Sequence, residues 1–166
     1  GPTAFDTSGI EPAIDLTLIS GPGGSVEWLT AYGLDFSGGR ALATNVASEK
    51  LNTFIQATGE YSVEAWVLPA NVVQDDANII SYSGGDTLRN FTLGQDMYNY
   101  EFYNRIDVTP ARPNGDPFLN SGDNDEEFAQ SNLQHVVVTY DPLKGRKMFV
   151  NGEKVKQATL SVDDRV

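Results

Sequence analysis

Apolar and polar residues alternate along most of this chain with the two-residue period of a strand. In Tyr61–Pro69, Val63, Ala65 and Val67 fall on one side and Glu64, Trp66 and Leu68 on the other; Pro69 ends the run because it cannot donate to a ladder. His135–Tyr140 alternates in the same way. An Asp-Pro…Gly turn follows it, then a strand over Lys147–Val150, then Asn151-Gly152, a pair suited to a type I′ turn with φ > 0 at both central positions. Leu133–Val155 therefore predicts two antiparallel hairpins run together. Further strands are predicted over Ala13–Ile19, Gly33–Phe36, Ala41–Thr44, Asn78–Tyr82, Leu88–Gly94 and Tyr98–Ile106. Thr109–Asn132 reads as a long polar loop with one short strand near Pro117–Asn120. A helical period occurs once, over Val46–Gln56, where Leu51, Phe54 and Ile55 share a side. It predicts one or two turns plugging an end of a sandwich.

Many short strands separated by turns, with almost no helix, predict an all-β sandwich or barrel. The 16 glycines and 8 prolines spread along the chain fit that class better than long helices. At 166 residues the chain is expected to form one domain over residues 1–166, with Gly1-Pro2 resembling the scar of a cleaved expression tag. A net charge of −12 repels phosphate backbones, which argues against nucleic-acid binding, and it favours hard cations such as Ca²⁺. With no cysteine, the chain can hold no disulfide, zinc-thiolate or cysteine nucleophile. No apolar run is long enough to span a membrane as a helix.

Candidate chemistry is sparse. His135 is the sole histidine, so no serine–histidine triad can be assembled, and a scaffold role is expected of it. Asp123, Asp125 and Glu127 alternate as a pair of glycosidase carboxylates would, but Gly122 and Asn124 mark their segment as loop. As calcium ligands the expected set is Asp123, Asp125 and Glu127, with Asp86 in the Gly84-Gly85-Asp86 turn; Glu126, Asp116 and Asp35 are further carboxylates to weigh. The segment is not an EF-hand, since Phe128 stands where that loop needs glycine. In Met97–Arg105 the alternation sends Tyr98, Tyr100 and Phe102 to one face, expected to be core. The other face, Asn99, Glu101, Tyr103 and Arg105, then offers amide, carboxylate, ring and guanidinium to a sugar. Trp66 joins these as a candidate ligand-binding residue. The sequon Asn90-Phe91-Thr92 lies within a strand and is discounted.

Three segments carry a family resemblance. Tyr61–Pro69, YSVEAWVLP, resembles the "T-x-E-A-W-V-x-P" strand of laminin-G-like jelly-roll domains, part of the concanavalin A-like lectin and glucanase group. HVVVTYD and MFVNGE, within Leu133–Glu153, resemble the later "H-V-x-x-T-Y-D…Y-V-N-G" hairpin, and Gly33–Gly39, GLDFSGG, the early "L-x-F-D-G" strand. Their order and spacing agree over roughly Asp6 to Val155. The resemblance implies a two-sheet antiparallel jelly-roll sandwich and a non-catalytic module, often Ca²⁺-assisted, of a larger secreted or cell-surface protein. The chain departs from the pattern in carrying Ser37-Gly38 where Asp-Gly is usual. It also stops soon after Asn151-Gly152, where family domains continue with closing strands, so missing closing strands or strand pairing with another chain are expected.

The function expected is recognition of a glycan or a protein surface by an extracellular, cell-surface or periplasmic protein. A structural or assembly module completed by strands from elsewhere is the alternative, and a glycoside hydrolase comes third.

Overall fold

As a helix, the β-branched run Val136–Val138 would fan its side chains round about 200° and restrict their rotamers against the preceding turn. As a strand it can leave Val137 half-covered and seal Val136 and Val138, and the second arrangement is the one adopted. The computed structural model describes residues 1–30, 33–85, 87–106, 114–122 and 126–158. Contacts divide the chain into two compact units, Gly1–Thr58 and Gly59–Val166.

In the first unit, β1 (Thr3–Ala4), β2 (Leu16–Ile19) and β5 (Arg40–Leu42) form an antiparallel sheet, and β3 (Ser25–Trp28) pairs with β4 (Leu34–Ser37). Gly24 is required where these strands meet, because a Cβ there would collide with the carbonyl of Ser37. Helix α1 (Asn45–Thr58) is 14 residues long, not the one or two turns expected. Thr44 caps it, its Oγ1 accepting from the Ala47 amide at 3.2 Å, and no proline or glycine interrupts it until Gly59 at φ +71°.

A charge cluster closes the first unit's N-terminal loop. Asp6 accepts hydrogen bonds from the Ile14 amide (2.8 Å), the Ser8 amide (2.8 Å) and Lys50 Nζ (2.8 Å). The Ile14 amide does most to hold this carboxyl far below the usual carboxylate range, with Lys50 and Ser8 adding to it. A depressed folded pKa gives stability that is present above the unfolded pKa of about 3.9 and lost as pH falls below it. Asp6→Asn should therefore lower the melting temperature most near neutral pH, with the gap from wild type narrowing below about pH 4. Thermal melts across that range test this; a gap independent of pH would sink it.

The second unit has two four-stranded antiparallel sheets among the described residues. One runs β10 (Leu119–Asn120), β9 (Asn99–Asn104), β8 (Arg89–Asp96), β7 (Ala77–Ser83); the other runs β13 (Glu153–Ala158), β12 (Gly145–Val150), β11 (Gln134–Asp141), β6 (Tyr61–Val67). They pack face to face over a core that includes Leu93, Tyr100 and Phe102 from the first and Val136, Val138 and Met148 from the second. The Tyr61 ring bridges the layers, with its centroid 5.3 Å from Phe91, 6.2 Å from Phe102 and 5.6 Å from Tyr140. This unit is a two-sheet antiparallel sandwich of the jelly-roll kind, and the described chain as a whole is mostly β with one helix. Its last hairpin turns on Asn151 (φ +51°) and Gly152 (φ +83°), the conformation that the Asn-Gly pair demands.

Candidate functional site

Because side chains alternate, each sheet of the sandwich has an outward face, and the two faces differ. On β9, Glu101 and Tyr103 point outward and are engaged with each other, the Tyr103 hydroxyl donating to Glu101 Oε2 at 3.0 Å. The Arg89 guanidinium lies 4.5 Å from the Tyr103 ring centroid, and Phe118 packs against the same ring at 4.9 Å. Thr92, paired with Tyr103 across the strands, is 1% exposed and shares a 2.8 Å hydrogen bond with Ser81; Glu101 is 5% exposed. Burial raises the Glu101 pKa, partly offset by the Tyr103 hydrogen bond and reinforced by the charges of Asp96 and Asp76. At Asp96, burial followed by Asp75 and Asp76 does the same.

Asn99 serves the scaffold. Its Nδ2 donates to the Glu126 carbonyl (3.0 Å) and its Oδ1 accepts from Ser121 Oγ (2.9 Å). Arg105 is exposed just beyond β9. So Glu101 and Tyr103 are brought together, while Asn99 is spent on a loop. Trp66 belongs to the other sheet altogether.

That second sheet presents a more open face. Its strands align Trp66 with His135, Glu64 with Val137 and Phe149, and Ser62 with Thr139 and Lys147. The Trp66 indole is 67% exposed and lies against the His135 ring at 4.8 Å and 26°. His135 Nε2 sits 2.7 Å from Glu64 Oε1, and the His135 amide donates to Asn151 Oδ1 at 2.9 Å. Glu64 therefore holds the imidazole through Nε2 and the indole stacks on its face, while Asn151 anchors the His135 backbone. Leu68 and Leu133, which flank the two strands, are also exposed. Of the groups around Trp66, the sequence marked only the indole as a candidate. His135 looked like scaffold, and its partnership with Glu64 becomes visible only once the register of β6 against β11 is known.

Of the expected calcium ligands, Asp86, Asp123 and Asp125 lie outside the described residues, and Glu127 is exposed. Among the described residues no three His, Asp or Glu side chains stand close enough to hold a metal. No described helix is long and apolar enough to cross a membrane.

A family model described as concanavalin A-like lectin/glucanases superfamily, of laminin G type, matches residues 37–165. Comparison with curated proteins gave no match. Among solved structures, the chain is similar to one from a study of how botulinum neurotoxin type C enters cells, a step dependent upon interaction with two ganglioside molecules. The TM-score is 0.57 at 10% identity, over 96% of this chain and 39% of that one. The likeness is one of fold, and this chain spans well under half of the toxin chain's length.

Proposed function

This chain belongs to the concanavalin A-like lectin/glucanases superfamily, and from that premise we propose that it is a non-catalytic recognition module that binds a glycan on the outward face of β6, β11 and β12. The observation that carries the proposal is the Trp66 ring, 67% exposed yet held in a fixed plane by His135. An indole face open to solvent costs hydration and is already oriented. The C–H face of a pyranose can cover it with little further loss of side-chain freedom. Glu64 and His135 stand beside the ring and, beyond the bond that joins Oε1 to Nε2, can offer Glu64 Oε2 and His135 Nδ1 to sugar hydroxyls.

Across β9 the comparable carboxylate, Glu101, is 5% exposed and takes the Tyr103 hydroxyl, which makes that face the weaker candidate. The ganglioside dependence of botulinum neurotoxin type C supports a glycan ligand by analogy of fold. A cell-surface, secreted or periplasmic setting is part of the same proposal.

Trp66→Ala should weaken glycan binding by at least about tenfold, as loss of a central aromatic anchor does. Its melting temperature should stay close to wild type, because the ring is mostly exposed. Isothermal titration calorimetry with the glycan, which does not depend on the indole, reads the first and a thermal melt the second. The titration should be run in Ca²⁺ and again in EDTA, because calcium ordering of the acid-rich 123–127 segment belongs to the proposal. Unchanged affinity in Trp66→Ala would remove this face from the account.

A further inference from the structure

The outward face does not end at Trp66. Ser62, four residues back along β6, points the same way, and at the ~3.3 Å rise of a strand it lies about 13 Å from Trp66. Cross-strand register places Thr139 and Lys147 beside Ser62 in one row. That row opens into a groove of about 280 Å³ whose lining includes Ser62, Thr139 and Lys147 together with Glu60, Asp141 and Lys144. Lys144 is committed to Asp141 at 3.0 Å, and Asp141 also accepts the amides of Leu143 and Lys144. By contrast, the Ser62 and Thr139 hydroxyls and the Lys147 ammonium make no hydrogen bond or ion pair within the described protein. Between the groove and Trp66 runs a middle row of Glu64, Val137 and Phe149, the last two half-covered. A stacking ring, a smooth stretch and a row of three uncommitted polar groups thus follow one another along a single strand direction.

Resting on the glycan reading above, we propose that the ligand is a linear oligosaccharide lying along β6 and β11. One unit stacks on Trp66, and a later unit is hydrogen-bonded by Ser62, Thr139 and Lys147 in the groove. The span exceeds the reach of one pyranose, so a single terminal sugar cannot engage both ends. The oligosaccharide is uncharged rather than anionic, because Lys144 and Lys147 in the groove are matched by Glu60 and Asp141, Glu64 lies on the path to Trp66, and the chain as a whole carries −12.

The test uses a panel of neutral linear oligosaccharides with glucan, galactan, mannan and N-acetylglucosamine backbones, each as a disaccharide and a tetrasaccharide. The ganglioside headgroup serves as a charged comparison. Wild type should bind its preferred tetrasaccharide about tenfold or more tighter than the matching disaccharide, the worth of one or two added hydrogen bonds. Thr139→Val and Lys147→Met, each melting like wild type, should erase that advantage and leave disaccharide affinity unchanged. Trp66→Ala should weaken both.

Equal affinity for the two lengths, with Trp66→Ala still weakening both, overturns the extended site and leaves glycan binding standing. Preference for the ganglioside headgroup overturns the uncharged class. No binding of any glycan by wild type overturns this inference and the proposal beneath it.

Discussion

Phe102→Ala is expected to cost about 3–5 kcal/mol of folding stability, the range for truncating a sealed aromatic. The ring is 0% exposed at the centre of β9 and touches the opposite sheet through Tyr61, 6.2 Å away edge-on. Its removal leaves a void between two layers that are each held by a ladder. Neither layer can collapse inward without breaking register, so the cavity should persist rather than close. Against a typical total of about 5–15 kcal/mol, this is enough to leave a large unfolded fraction. A denaturant titration should show the midpoint falling with the slope unchanged. A loss below about 1 kcal/mol would mean that the layers are not packed through this ring.

Gln134→Leu should cost about 2–4 kcal/mol for a different reason. Gln134 is 2% exposed, and its amide holds three partners. Oε1 accepts from the Tyr100 hydroxyl at 2.8 Å and from the Gln130 amide at 2.8 Å, and Nε2 donates to the Phe128 carbonyl at 2.9 Å. Leucine matches the volume but orphans all three groups at once. Burial pushes the Tyr100 hydroxyl up to about 12, so it stays a donor throughout the neutral range. Tyr100→Phe loses only one of the three bonds and should cost about 1 kcal/mol. Because the two side chains share a bond, the double variant should be less destabilised than the sum of the singles. Strict additivity in chemical denaturation would show that the sheets are not tied through this pair.

The sandwich was legible wherever a strand was long enough to alternate. β6, β8, β9, β11 and β12 all lie where the polarity pattern puts them, and the Asn151-Gly152 turn announces β13. β3 was not legible: Ser25–Trp28 is only four residues, too short for a period, and its pairing depends on close backbone approach at Gly24. Helix α1 outran its apolar pattern because a cap at Thr44 and a stop at Gly59 define its ends, and neither signal is hydrophobic. The sequence could say that Tyr100 and Phe102 were core and that Glu101 and Tyr103 faced away. It could not say that Asn99 would be consumed by Ser121 and Glu126, since those partners come from distant positions. For the same reason Trp66 looked isolated, because its companion His135 lies about 70 positions further along the chain and is brought to it by strand pairing.

The register of β6 against β11 also sets what can change without harm. Every second position belongs to the interior and the others to the face proposed for recognition, so the two share one phase. Exchanging Trp66, Glu64 or Ser62 for another residue would retune the ligand at little structural expense. Losing a single residue from β6 would swing Trp66 inward and turn Val63 toward water in the same step. This surface can therefore diversify freely by substitution, while its length stays locked to that of the core.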